Sequence, residues 1–64
     1  MDMKLFCSSS TNERFTECEF YDAQFNGRQF HVTDNTSKAW SALYEDDSGF
    51  IVIEMVGGDF VEFE

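Results

Sequence analysis

The stretch FTECEFYDAQFNGRQFHVT, residues 15–33, decides the predicted fold, because Asn26-Gly27 stands between two runs of strand-forming residues. Asn-Gly suits a two-residue type I′ turn, whose twist matches that of paired antiparallel strands. In the register that this turn sets, Tyr21 faces Val32, and one face of the hairpin is apolar, as a core face requires. We therefore predict a β-hairpin here.

The opposite face of this hairpin is mixed. Asp22 lies opposite His31 in the predicted register, where the two form at most a surface pair. Cys18 and Phe20 fall on the same side, so we expect a β-bulge near Phe20 or an element that covers it.

The segment before the hairpin divides into a strand and a loop. From Met3 to Ser8 the residues alternate, with Met3, Leu5 and Cys7 on one side, which is the period of a half-buried strand. The polar run 8–14 has no periodicity and predicts a mobile loop.

A helix is predicted after the hairpin. Asp34-Asn35-Thr36-Ser37 is a cluster of N-cap residues, and the residues that follow place Ala39, Trp40 and Leu43 on one helical stripe. Glu45-Asp46-Asp47-Ser48-Gly49 ends the helix. Acids at a helix C-terminus oppose the macrodipole, which suggests a use in binding unless the segment is an ordinary solvated loop.

A second hairpin is predicted from Phe50 to Glu64, where two apolar runs flank Gly57-Gly58-Asp59. A three-residue loop sorts the side chains better than a two-residue Gly-Gly turn, and it places Glu54 opposite Glu62. Five apolar residues then share the other face: Ile51, Ile53, Met55, Val61 and Phe63.

The predicted fold is a single α+β domain over residues 1–64, in the order β-β-β-α-β-β. About five strands form one antiparallel sheet, and the short helix packs across one face. The chain leaves no room for a second lobe, and its eight Phe, two Tyr and one Trp supply the bulk that a small core needs.

The net charge of the chain limits the kinds of partner that it can bind. Thirteen acids against four bases give a formal charge of −9, which destabilises the compact state by self-repulsion. The imbalance serves either solubility or attraction to a basic partner. Direct binding to nucleic acid or to an anionic membrane is disfavoured, because both require Lys and Arg.

The sequence predicts no enzyme, no cofactor and no metal site. His31 is the only imidazole, and with Cys7 and Cys18 it falls short of the four ligands of a zinc site. The N-terminus lacks the apolar run of a secretory signal, so we expect a cytoplasmic protein with reduced cysteines. Cys7 and Cys18 on neighbouring strands remain a possible disulfide pair.

The candidate binding residues are carboxylates in rows. Acids at i and i+2 on a strand lie roughly 6.5–7 Å apart, comparable to successive phosphates of a nucleic acid. Such a row imitates a nucleic-acid backbone, whereas the alternative is that the acids protect edge strands from aggregation. The predicted partner-binding residues are Glu17, Glu19, Asp22, Glu45, Asp46, Asp47, Glu54, Glu62 and Glu64.

In size and acidity the chain resembles the small DNA-mimic inhibitors made by phages, such as anti-CRISPR proteins. The resemblance implies inhibition of a host complex through its basic nucleic-acid-binding site. We expect a monomer or a weak dimer, because an uncovered edge strand makes a dimer easy. A second hypothesis is an adaptor or antitoxin-like module that binds by strand addition or through Phe6, Phe50 and Phe60. A small hydrolase is the third.

Overall fold

The structure, a computed structural model, describes residues 2–64 and is all-β. Six antiparallel strands follow one another around a closed barrel, and β6 pairs with β1 to close it. The strands are β1 (Asp2–Ser10), β2 (Phe20–Phe25), β3 (Phe30–Thr33), β4 (Ala39–Tyr44), β5 (Ile51–Glu54) and β6 (Phe60–Phe63). The predicted α+β fold is therefore wrong, since residues 2–64 contain no helix.

The segment predicted as a helix is β4. Ala42 is buried and Trp40 half-buried on the inner side, while Ser41 and Leu43 are exposed, which is the period of two that a strand shows. The aromatic residues of this segment fit a half-buried pleated surface as well as they fit a helical stripe. Its pairing with β3 and β5 decides between the two.

The predicted N-cap cluster is the β3–β4 turn. The backbone N–H of Asp34 donates to the carbonyl of Lys38 at 2.8 Å, and Ser37 adopts a left-handed φ of 68°. Asp, Asn, Thr and Ser close turns by the same side-chain hydrogen bonds with which they cap helices, so the composition alone does not separate the two.

Asp34 is the centre of this turn, and its side chain is fully buried. Burial alone would raise the pKa of its carboxyl. The indole of Trp40, the hydroxyl of Thr36, and the backbone N–H groups of Lys38 and Thr36 all donate to it and hold its pKa well below the usual range. Arg14 of the β1–β2 loop lies 3.5 Å away. The carboxylate therefore joins the β1–β2 loop to β3 and β4.

The first hairpin has a longer loop than predicted. Phe25 pairs with Phe30 and Ala23 with Val32, so the loop is residues 26–29. The side chain of Asn26 accepts the N–H groups of Arg28 and Gln29, both at 3.0 Å, and the Phe25 and Phe30 rings pack at 4.6 Å. The predicted register is thus wrong by two residues, which leaves the core-facing residues unchanged, but His31 lies directly opposite Gln24 and not opposite Asp22.

The second hairpin shows the same two-residue error. Ile53 pairs with Val61, and Glu54 lies opposite Phe60 rather than Glu62. Gly57 and Gly58 both have positive φ and let the five-residue loop close. The predicted apolar face is confirmed, because all five of its residues are buried: Ile51, Ile53, Met55, Val61 and Phe63.

The predicted β-bulge is confirmed one step before Phe20. Cys18 donates its N–H to the carbonyl of Cys7, and Cys7 donates to the carbonyl of Glu19, so two residues oppose one. Cys18 has a φ of 69°, the left-handed conformation of the first residue of a G1 bulge. After the bulge, Tyr21 points inward and Phe20 outward.

The core fills the barrel from every strand and from the β1–β2 loop. Phe15 of that loop is 2% exposed and packs edge-on against Tyr21 and Phe63. The β1–β2 loop thus contributes one of the largest side chains of the core. The residues described contain no helix of the length and apolarity needed to cross a membrane.

Candidate functional site

Charge is divided unevenly along the chain and therefore around the barrel. All four Lys and Arg residues precede residue 39, whereas residues 39–64 contain seven acids and no base. These 26 residues form β4, β5, β6 and the loops that join them. Because β5 and β6 are neighbours in the closed strand order, the excess negative charge lies on one side of the molecule.

The outer surface of β5 and β6 carries carboxylates and apolar groups together. Five side chains point outward from these two strands and from Glu64, the residue after β6, because the residues between them fill the core. Phe6 of β1 joins them, since its backbone exchanges hydrogen bonds of 3.2 and 2.9 Å with Glu64. We call this surface the acidic–aromatic face; its members are Phe6, Val52, Glu54, Phe60, Glu62 and Glu64.

The pairing of the strands fixes how these side chains neighbour one another. Glu54 is the direct cross-strand partner of Phe60, and Val52 is the partner of Glu62. Residues directly opposite in a ladder have Cβ atoms about 4.5–5.5 Å apart, so each carboxylate on β5 or β6 has an apolar neighbour. The register keeps the carboxylates from facing one another directly.

No base of residues 2–64 forms an ion pair with Glu54, Glu62 or Glu64. The ion pairs within this range are Lys4–Asp22, which lies two residues from Phe6 and Phe20, and Arg14–Asp34. The carboxylates of the face therefore keep their charge available for a partner.

A shallow groove of about 340 Å³ runs along this surface. Glu45, at the end of β4, joins Glu54 and Glu62 along its walls, and Val52 and Phe60 contribute the apolar part. Three of the predicted site residues thus line one concavity.

Asp46 and Asp47 lie in the β4–β5 loop, a turn closed by hydrogen bonds between Glu45 and both Gly49 and Phe50. They are exposed, and they share an end of the barrel with Glu64, because β4 and β6 run in the same direction. They extend the acidic side beyond the strands.

The sequence predicted Glu17 and Glu19 on a strand, which is wrong. They lie in the β1–β2 loop, on either side of the bulge residue Cys18. The Glu17 carboxylate accepts the N–H of Ser10 at 3.1 Å. Ser10 follows Ser9, the β1 partner of Glu62, so Glu17 lies beside the β1 border of the face.

Asp22 lies on β2, apart from Glu54, Glu62 and Glu64. It points outward from β2 and forms a 2.9 Å ion pair with Lys4, its cross-strand neighbour. With His31 it lines a separate groove of about 470 Å³ over β2 and β3. Asp22 is two residues from Phe20 on the same strand, but because it is paired with Lys4 it adds no unpaired charge to the acidic–aromatic face.

Two features of the surface were missed by the sequence reasoning. Phe20 is 64% exposed and packs on Phe6 with ring centroids 5.2 Å apart, which extends the face onto β2. Next to the β3–β4 turn, Lys38 and Arg14 lie over the ring of Trp40, 4.6 and 5.6 Å from its centroid. Trp40 thus fixes the positions of two of the four bases, and one of them, Arg14, also pairs with Asp34.

The cysteines show no activated thiol. Cys7 is fully buried, and burial, followed by the nearby Glu17 charge, raises its pKa to about 11. A thiol held in its neutral form is a poor nucleophile. Cys18 is exposed, and both cysteines are free. Within residues 2–64 no three His, Cys, Asp or Glu side chains are grouped to hold a metal ion.

Comparison of the chain with protein-family models, with curated proteins and with solved structures finds no match.

Proposed function

We propose that the protein binds a basic, nucleic-acid-binding site of another protein through its acidic–aromatic face, as an inhibitor that takes the place of the nucleic acid. The observation that carries the proposal is the outward row of Glu54, Glu62 and Glu64, which lies on paired strands without a neutralising base among residues 2–64.

The closed barrel removes one competing explanation of these acids. Charged residues on a strand often serve to prevent edge-to-edge aggregation, but a closed barrel has no unpaired edge to protect. Solubility alone does not account for the acids either, since it needs no separation of acids from bases. Binding to a basic surface does, because a one-sided charge orients the approaching molecule and raises the association rate.

The closed barrel also argues against the second hypothesis, in which a partner adds a strand to the sheet. Each of the six strands has a neighbour on both sides, so a partner strand would have to open the barrel. Of the aromatic residues expected to dock a partner, Phe60 is 36% exposed within the face, while Phe6 and Phe50 are half-buried. We therefore assign the aromatic contact and the acidic contact to one surface.

The test compares two charge-matched variants. Glu54→Gln/Glu62→Gln removes two charges from the face, and Asp2→Asn/Glu13→Gln removes two charges from elsewhere on the surface. A nucleic-acid-binding protein captured with this chain is purified, and its dissociation constant is measured at several salt concentrations. We expect the face variant to bind more weakly with a shallower salt dependence, and the control to change little.

Equal effects of the two variants would show that net charge acts without a defined surface. Binding that survives high salt and coexists with bound nucleic acid would refute the proposal.

A further inference from the structure

The acidic–aromatic face exposes more apolar surface than an imitation of duplex DNA requires. A duplex presents phosphates outward and keeps its bases stacked inside, so carboxylates alone suffice to imitate its backbone. Phe60 is nevertheless 36% exposed and Phe20 64% exposed, both on the outer side of paired strands. Exposed aromatic rings beside charged groups characterise interaction surfaces.

The face combines carboxylates with aromatic rings, as a single strand combines phosphates with unpaired bases. Along β6 and the residue after it, Phe60, Glu62 and Glu64 follow one another on the outer side in steps of roughly 6.5–7 Å. Phe6 lies beside Glu64 across the β6–β1 pairing, and Phe20 lies beside Phe6 across the β1–β2 pairing. The two carboxylates thus have one aromatic ring next to Glu62 along the strand and two rings to the side of Glu64.

Sites that bind single-stranded DNA or RNA combine a basic groove, which follows the backbone, with aromatic side chains on which the bases stack. The geometry points to such a site as the partner of this face: Glu62 and Glu64 occupy phosphate positions, and Phe60 and Phe20 occupy base positions. This inference rests on the proposed function and narrows the partner to proteins that bind single strands.

A second copy of the chain is a poor occupant of the same face. Two copies docked face to face would bring Glu54, Glu62 and Glu64 against the same carboxylates of the other copy. Residues 39–64 contain no Lys or Arg that could neutralise them. Like charges brought together across an interface oppose binding. A basic surface with exposed aromatic rings can pair with the carboxylates of the face and also stack on its aromatic side chains.

The test uses two probes of known chemistry. One is an OB-fold domain that binds single-stranded DNA in a basic, aromatic-lined groove, loaded with fluorescein-labelled oligothymidine. The other is a helix-turn-helix domain loaded with a labelled duplex. We expect the protein to displace the oligothymidine at a concentration at least about tenfold lower than it needs to displace the duplex.

The ring contribution is measured with a matched pair of variants. Phe60→Ser is expected to raise the concentration needed to displace oligothymidine by about tenfold, the size of one lost stacking contact. Val56→Ser removes an equally apolar, fully exposed side chain from the β5–β6 loop and leaves the charge unchanged, so it is expected to have no effect. Circular dichroism verifies that both variants are folded.

The outcomes separate the two proposals. Displacement of the duplex as readily as oligothymidine, or an unchanged Phe60→Ser variant, overturns the single-strand inference and leaves the acidic inhibitor intact. A concentration-dependent self-association that Phe60→Ser abolishes shows a second copy as the occupant and also overturns it. Failure to displace nucleic acid from either probe, with no effect of Glu54→Gln/Glu62→Gln, overturns both proposals.

Discussion

Replacing Asp34 tests the interactions that hold the turns of the barrel together. One oxygen of its carboxylate accepts three hydrogen bonds, from the N–H and hydroxyl of Thr36 at 2.7 Å and from the N–H of Lys38 at 3.0 Å. The other accepts the indole N–H of Trp40 at 2.7 Å. Asp34→Ala removes the acceptor of these donors, which belong to the exposed residues Thr36 and Lys38 and to the half-buried Trp40.

The magnitude follows from that count. A hydrogen bond to a charged group contributes about 1.5–3 kcal/mol, and contributions within one network do not add fully, so we expect Asp34→Ala to cost about 3–4 kcal/mol. Asp34→Asn keeps one oxygen but turns an N–H₂ group toward Trp40, and we expect a loss of about 2 kcal/mol. The total stability expected for 64 residues is only about 3–10 kcal/mol, so either loss is large.

The assay is urea unfolding followed by circular dichroism, with Asn35→Ala as a control in the same turn. Asn35 is exposed and makes hydrogen bonds to Tyr21, Thr16 and the Glu13 carbonyl, so its loss is expected to cost less. If Asp34→Ala unfolds within about 0.5 kcal/mol of the unmodified protein, the role assigned to the carboxylate is wrong.

Three further predictions concern titration and the cysteines. Because the pKa of Asp34 is lowered in the folded state, its contribution is complete above the unfolded pKa of about 3.9 and declines below it; the stability gap to Asp34→Asn should be constant from about pH 5 to 8 and shrink below about pH 4, and a gap that widens on acidification would contradict the assignment. Cys18→Gly should raise the unfolding free energy by up to about 1 kcal/mol, since glycine accepts a φ of 69° without strain, whereas Cys18→Ala should not; equal stabilities in a urea titration would argue against strain there. Iodoacetamide at pH 8 should modify Cys18 quickly and Cys7 only on unfolding, because Cys7 is buried with its pKa raised to about 11; mass spectrometry that finds both labelled at similar rates would refute the burial.

The strand faces could be predicted from the sequence because alternation is a local signal. Tyr21 and Val32, and Ile53 and Val61, are buried as their spacing indicates. A shift of the register by two residues conserves the face on which a side chain lies, so the errors in both loops left the core assignment intact. The predicted lengths of the two hairpin loops were wrong because Asn26-Gly27 and Gly57-Gly58 are compatible with longer turns as well as with short ones.

The helix prediction failed where local signals were ambiguous. The segment 34–44 contains residues that cap helices or close turns, followed by apolar residues that suit either period: Ala39, Trp40 and Leu43 fit a helical stripe, whereas Trp40 and Ala42 fit a strand face. Pairing with β3 on one side and β5 on the other decided the outcome. Such long-range pairing has no local signature, and neither does the closure of β6 onto β1.

The same limit applies to the candidate site. The acids were identifiable from composition, but their grouping depends on which strands become neighbours. Closure of the barrel places Glu64 beside Phe6, more than fifty residues away in sequence, and it separates Asp22 from Glu54 and Glu62. The contribution of Phe20 and Phe60 to one surface follows from closure as well.

The central claim is that one side of the barrel, the acidic–aromatic face, contacts a basic partner. The most direct measurement is a titration of the ¹⁵N-labelled protein with the OB-fold domain free of nucleic acid, followed by amide chemical shifts. We expect the largest changes in residues 52–64 and at Phe6 and Phe20, and little change around Asp34 and Trp40. Changes centred on the groove of Asp22 and His31, or spread evenly over the barrel, would contradict the claim.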